Sequence, residues 1–395
     1  MRYVGIDIGA EEHVVAIVDE SGGVLVRATA FNESATGYDK ARKLIGSKDE
    51  TLVVMEATGH YWQNLFGMLA VEGFQIALIN PLRTRRFAEE DLIRAKTDAI
   101  DAVQLARFGQ QKRPPATRLP DEATVELREQ VRLRDRVVQD RDEKVNELHR
   151  LVDLCFPEFT KLVRVLKCSL ATTLLRAFPT AAAFRNASLE EVARLQHGDK
   201  KKQEVGEELA RALIEAAKTS IGRHHGEAYR VQVLYACDSL DLVRRYLNDL
   251  DKTIADALEK HEIGKLLTTI DGIGPNTAAR LIAELEGDPS HFESSAALAA
   301  YVGVVPGTDL SGKSKGVRFG LASPGNARLR KALWMPTLTA IRRNPWLHAF
   351  HAGLMARGKI AKVAIVASMR KLLTAVYSVA KNKRAFVPRL AEATS

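Results

Sequence analysis

Four carboxylates stand where they could share a cation: Asp7, Glu56, Asp98 and Asp101. Asp7 lies in the run RYVGIDIG, whose alternation puts Tyr3, Gly5 and Asp7 on one face and Val4, Ile6 and Ile8 on the other. An acid in so apolar a strand is costly unless it is paired or binds a metal. Glu56 ends the β-branched run TLVVME and faces the loop ATGHYW. Asp98 and Asp101 are three apart on a predicted helix, so their side chains share a face about 5–6 Å apart. Neighbouring carboxylates repel, and a cation relieves that repulsion. Hard oxygen donors of this kind suit Mg²⁺ or Mn²⁺. Such ions activate a nucleophile and stabilise the leaving oxygen in phosphoryl transfer. A single strand-end Asp is commonly a cap, and an Asp pair on a helix is commonly a solvated face; the four in this order are far more specific.

A second group lies near the C-terminal end. The segment GTDLSGKSKGVRFGLASPGN (307–326) offers the hydroxyls of Ser311, Ser314 and Ser323. A serine is a poor nucleophile until a base or metal activates it, and a phosphate under attack needs a charge clamp. Lys313, Lys315 and Arg318 could supply one, and Arg328 and Arg330 follow on basic helices. Upstream, LLTTIDGIGPNTAARLIAEL reads as a helix–hairpin–helix. There Gly272 and Gly274 permit the tight turn, and the amides of the next helix can hold a phosphate. His60, Tyr61 and Trp62 are expected to pack beside Glu56. Arg83, Arg85 and Arg86 form a short basic run, either a plain exposed run or a contact for nucleic-acid backbone, and His224 and His225 read as loop residues.

The elements that must position these groups begin with three strands over 2–31, separated by tight turns. A helix follows over 38–47, then the strand 51–56, a helix ending at Gly73 and the strand FQIALINP stopped by Pro81. Strands alternating with helices predict an α/β domain, and the opening hairpins make its sheet mixed. Residues 86–111 read as one helix. Three prolines in KRPPATRLP (112–120) break the chain, and 121–155 then reads as a single long charged helix of the kind that packs on a partner. Residues 156–260 look entirely helical. The expected organisation is thus an α/β domain over 1–118, a helical coiled-coil region over 119–260, and a mostly helical basic domain over 261–395.

The net charge is +9, but its distribution says more. Residues 301–395 hold 17 Lys and Arg against 2 Asp and Glu, whereas residues 1–300 hold 41 against 47. A basic tail of this density fits a polyanionic partner. No apolar run reaches the roughly 18 residues of a membrane span, and no signal peptide is apparent. Cys155, Cys168 and Cys237 are too scattered for a disulfide framework or a zinc site. The expectation is a cytoplasmic protein that spans no membrane and meets a polyanion, and charge alone does not separate DNA from RNA or from an anionic membrane surface.

The chain resembles the DEDD transposases of the insertion sequence 110 family, which include the Piv-like DNA invertases. The residues carrying the resemblance are Gly5-Ile6-Asp7-Ile8-Gly9, Glu56-Ala57-Thr58-Gly59-His60-Tyr61-Trp62, Ile79-Asn80-Pro81 and Lys96-Thr97-Asp98-Ala99-Ile100-Asp101-Ala102. Later come Ile270-Asp271-Gly272-Ile273-Gly274-Pro275, Tyr301-Val302-Gly303-Val304-Val305-Pro306, Ser311-Gly312-Lys313 and Gly325-Asn326-Ala327-Arg328-Leu329-Arg330. The resemblance implies a RuvC-like domain of RNase H fold in which Asp7, Glu56, Asp98 and Asp101 hold Mg²⁺. It also implies a C-terminal serine that links covalently to DNA, and Ser311 matches that position; the family commonly shows two glycines after this serine, and here there is one. It further implies homodimers that join into homotetramers, with an active site composed from two subunits. A structured RNA from the same element would guide them by pairing with target and donor DNA.

Three other readings share features with this one. GIDIG before a hairpin also resembles the phosphate loop of actin-like and sugar-kinase ATPases, but the second phosphate loop and adenosine motif those proteins need have no counterpart downstream. A RuvC-like Holliday-junction nuclease would use the carboxylates with water and no serine. A non-catalytic nucleic-acid-binding protein would need neither.

Overall fold

The computed structural model describes residues 1–90, 97–118, 120–199, 201–309, 317–321 and 325–388. The chain divides into two compact units, 1–119 and 120–395, where the sequence reading draws three parts.

The first unit contains β1 (Arg2–Asp7), β2 (Glu12–Val18), β3 (Val24–Asn32), α1 (Ala35–Ile45), β4 (Thr51–Glu56), α2 (Trp62–Val71), β5 (Gln75–Ile79), α3 (Pro81–Glu90) and α4 (Asp98–Lys112). Its five strands form one mixed sheet in the order β3-β2-β1-β4-β5. The pairs β1–β2 and β2–β3 are antiparallel, while β1–β4 and β4–β5 are parallel. The central strands are buried on both faces, which is why they read as near-continuous apolar runs. On one face Val4, Ile6, Val53 and Met55 pack with Ala41 and Ile45 of α1 and Leu65 and Leu69 of α2. On the other, Tyr3, Leu52 and Val54 pack with Phe87 of α3 and Leu105, Ala106 and Phe108 of α4.

The α4 contact is unusually close. A β-carbon on Gly5 would run into the Ala102 carbonyl and the Ala106 amide, so only glycine lets α4 lie flat on β1. The single helix expected over 86–111 is not what forms. One helix opens at Pro81, which suits a first helical position. A separate one opens at Asp98, where the Thr97 hydroxyl accepts from the Ile100 amide at 3.3 Å.

Among its described residues, the second unit is helical apart from two short antiparallel strand pairs. It is built on α5 (Glu122–Cys155) and, after α6 (Phe159–Leu162), α7 (Ser169–Ala177), α8 (Ala181–Asn186), α9 (Leu189–Ala193), the pair β6 (Gln196–His197) and β7 (Gln203–Glu204), and α10 (Glu207–Lys218), on α11 (Glu227–Glu259). The β6–β7 pair corrects the all-helical expectation for 156–260. Next come α12 (Glu262–Leu267), α13 (Pro275–Glu284), α14 (Ser295–Val302), β8 (Pro306–Asp309), β9 (Val317–Leu321), α15 (Ala327–Arg343), α16 (Pro345–Ala356) and α17 (Ala361–Asn382).

The helices α5 and α11 run antiparallel and carry a core at each end. Leu127 and Val131 meet Ile254 and Leu258 within the C-terminal core, while Leu148, Val152 and Cys155 join Val233, Cys237 and Leu240 within the core of α6–α10. Between them the pair is polar, with Arg134 Nε on Asp251 Oδ1 at 2.5 Å. Because the C-terminal core draws on both long helices, no packing break falls at 260/261. No uninterrupted apolar run reaches span length, but α17, broken by Arg370 and Lys371, is long and apolar enough to cross a membrane by length and composition. Its Leu372, Leu373 and Val376 are fully buried in the C-terminal core.

Candidate active site

The sheet places the first two acids. The parallel register pairs Ile6 with Met55, so Asp7 and Glu56 follow at the carboxyl ends of adjacent strands. The glycine contact on α4 places the other two, because Ala102 seated against Gly5 brings the helix's first turn beside the end of β1. That turn carries Asp98 and Asp101, and the helix dipole favours acids there. All four carboxylates line one cleft of about 700 Å³, together with Thr58, Thr84, Arg85 and Gln104.

Electrostatics record the convergence. Burial, followed by the charges of Asp101, Asp98 and Glu56, raises the Asp7 carboxyl from 3.8 to about 6. Among the described residues, no group of three or more His, Cys, Asp or Glu side chains is closed into a ready ligand set for a metal. The four acids share the cleft without meeting at one point, as mutually repelling charges do. Their donor chemistry fits a hard divalent cation, which would relieve the charge that raises Asp7.

Two cleft residues escaped the sequence reading. Thr58 Oγ1 donates to Glu56 Oε1 at 2.9 Å, and Thr84 Oγ1 donates to Glu56 Oε2 at 2.7 Å. Thr58 stood inside a motif already singled out, whereas Thr84 had no signal of its own. Trp62 packs on Phe66 edge to face and ties the loop by donating to Gly59 O at 3.2 Å, while the His60 and Tyr61 rings lie against each other at a tilt and stay exposed. Arg85 lies in the cleft wall and pairs with Glu89 at 3.0 Å.

In the second unit, Ser311, Lys313, Ser314, Lys315 and Ser323 lie outside the described residues. Arg318 falls within β9, and only its backbone placement is described. What is visible is how the two ends of the segment are held. The Asn326 amide donates to Tyr301 O at 2.8 Å, Arg330 Nη1 donates to Val302 O at 3.2 Å, and Gly325 packs on the Gly303 backbone so closely that a β-carbon would not fit. The motifs on either side of the serine segment therefore clasp one another. Arg330 is committed in part to this clasp, whereas Arg328 is exposed and only loosely paired with Glu284 at 3.8 Å. In the GIGP turn, Gly272 (φ 98°) is pressed against Ala340 of α15, while Gly274 opens α13 beside the exposed Pro275 and Asn276. Of these two glycines, Gly274 is the one whose surroundings are open.

Comparison with known proteins agrees with both motif groups. A DEDD transposase family model of IS110, described as "Transposase", matches residues 4–157. A second, described as "Transposase IS116/IS110/IS902 family", matches residues 264–352. The chain is 26% identical to the pilin gene-inverting protein of Moraxella lacunata, over 99% of each chain. It is 27% identical to the mini-circle putative transposase for IS117 of Streptomyces coelicolor, covering 88% of this chain and 86% of that one. It is 23% identical to the insertion element IS110 uncharacterized 43.6 kDa protein of the same organism, over 98% and 96%. With the four acids on one cleft and both matches spanning the residues that the sequence singles out, the chain belongs to the IS110 family of DEDD transposases, enzymes that recombine DNA.

Proposed function

We propose that this chain cuts and rejoins DNA strands at the ends of a mobile element through a phosphoserine intermediate. The observation that carries the reading is that Asp7, Glu56, Asp98 and Asp101, from two strand ends and one helix turn, all line a single cleft. The strand order β3-β2-β1-β4-β5, with its first three strands antiparallel, supports a RuvC-like, RNase H-type domain. The four acids would hold Mg²⁺ or Mn²⁺. When bound, the ion would offset phosphate charge and favour deprotonation of an attacking hydroxyl.

Ser311 is the proposed nucleophile. Its Oγ forms a bond to the scissile phosphorus, the bond from phosphorus to one deoxyribose oxygen breaks, and that oxygen leaves as a hydroxyl. A DNA hydroxyl then attacks the phosphoserine and releases Ser311, so rejoining needs no ATP. Lys313, Lys315, Arg318 and Arg328 would balance phosphate charge. The α12–turn–α13 segment would act as a helix–hairpin–helix, with the amides after Gly274 toward the DNA backbone. Target choice would rest on a structured guide RNA, with the protein reading backbone and shape. The active unit would be a homodimer assembling to a homotetramer.

The relatives' printed names, a gene-inverting protein and transposases, support strand exchange over simple hydrolysis. The test is a reaction with labelled DNA, stopped by denaturation and resolved on a gel. A covalent protein–DNA adduct is expected, and it disappears in Ser311→Ala. An adduct of unchanged yield in Ser311→Ala overturns the assignment of the nucleophile. Cleavage at the normal rate by Ser311→Ala with no adduct would favour a water-using nuclease.

A further inference from the structure

We infer that Thr58 and Thr84 are positioning residues that fix the Glu56 carboxylate for cation binding, an inference that rests on Glu56 being a cation ligand. Each Glu56 oxygen receives one hydroxyl, Oε1 from Thr58 at 2.9 Å and Oε2 from Thr84 at 2.7 Å. A carboxylate offers about four lone-pair sites, so two remain open to a cation. The two donors come from different elements and reach different oxygens, one from the loop after β4 and one from the first turn of α3. Together they set both the tilt and the twist of the group. Thr84 also approaches Pro81 O at 2.9 Å, but a hydroxyl has one proton. The shorter bond to a charged acceptor is the stronger.

The surrounding structure is built to hold these hydroxyls. The Ala57 amide donates to Ile79 O at 2.9 Å, tying the Thr58 loop to the end of β5. Asn80 Oδ1 accepts from the Leu82 amide at 2.9 Å, and the Arg83 amide donates to Asn80 O at 2.8 Å, so α3 starts directly off that strand. Phe87, buried and edge-on to Phe108 of α4 at 5.3 Å, fixes the rotation of α3. Thr84 lies three residues earlier, on the same face, and so is aimed at Glu56. The Ile79-Asn80-Pro81 motif, which carries no chemistry of its own, thereby acquires a role. It places a threonine opposite an acid 28 positions away.

Partners of this kind typically change metal affinity by about 10–100-fold when removed. The experiment is Mn²⁺ binding to the full-length protein, read from the loss of the free-ion electron spin resonance signal. Wild type is compared with Glu56→Gln, Thr84→Val, Thr84→Ser and Thr58→Val. Glu56→Gln and Thr84→Val are both expected to weaken binding about tenfold or more, while Thr84→Ser, which keeps the hydroxyl, stays within about twofold. Thr58→Val, on an exposed loop, is expected to weaken binding without loss of folding, and it carries the test if Thr84→Val misfolds. Wild-type binding by folded Thr84→Val or Thr58→Val beside a weakened Glu56→Gln overturns the inference and leaves the cation reading standing. Wild-type binding by Glu56→Gln overturns the cation reading, and the inference falls with it.

Discussion

Asp7 shows how one residue can trade stability for chemistry. Its carboxyl is raised to about 6 first by burial and then by three neighbouring acids. The folded chain therefore holds the Asp7 proton over a range in which the unfolded chain has lost it. The penalty for charging Asp7 is absent below about pH 4, where both states are protonated, and it grows as the pH rises toward 6. Asp7→Asn should then stabilise the cation-free protein by on the order of 2 kcal/mol near pH 8, and by little near pH 4. Urea unfolding in the presence of a chelator measures this, and the same variant should lose strand cleavage. Cys237 illustrates the opposite case of a group kept inert. It is fully buried, and burial pushes its thiol up to about 12, so it should resist alkylation until the protein unfolds. The four acids were legible in the sequence because strand alternation and helical spacing are local patterns. The Thr84 hydroxyl was not, because its partner is set by how α3 and β4 pack rather than by neighbours in the chain.

At the scale of elements, the site depends on how closely one helix approaches one strand. Gly5→Ala would drive a methyl into the backbone of α4 at Ala102 and Ala106. Overpacking of this sort costs about 1–3 kcal/mol, and here the relief would move the Asp98–Asp101 turn away from Asp7. Loss of cleavage together with a lowered melting temperature is expected, whereas Gly67→Ala inside α2, with open space around it, should leave cleavage unchanged and raise the melting temperature slightly. The order of the strands and helices in the first unit was readable from apolar periodicity and turn residues. The split between α3 and α4 was not, because the apolar pattern runs on past the Thr97 cap. The clasp between Tyr301–Gly303 and Gly325–Arg330 was also hidden. Its motifs could be seen, but their mutual contact joins residues more than twenty positions apart.

At the scale of the whole molecule, charge and helix length decide most. The acidic site sits in a unit followed by a strongly basic C-terminal stretch, with 17 Lys and Arg against 2 Asp and Glu over 301–395. DNA binding should accordingly weaken steeply with salt. If six to ten phosphates are contacted, affinity should fall about 10³–10⁵-fold between roughly 50 and 200 mM salt, as titration of labelled DNA would show. The long charged helix over 121–155 was legible, and its sparse apolar positions now have a cause. The buried ones cluster at its two ends, where separate cores form, and the stretch between them carries charged pairs such as Arg134–Asp251. A boundary near 260 was a reasonable reading of composition, since the glycine-rich turn begins soon after. Packing does not follow it, because α5 and α11 return to the same core.

The central claim is that four acids on one cleft form the DNA-cutting centre. It is tested most directly by counting insertions in cells carrying an intact element whose only change is Asp98→Asn, with protein level checked by immunoblot. The predicted result is loss of insertions, by about a hundredfold or more, at normal protein level. Insertions at the wild-type frequency would contradict it.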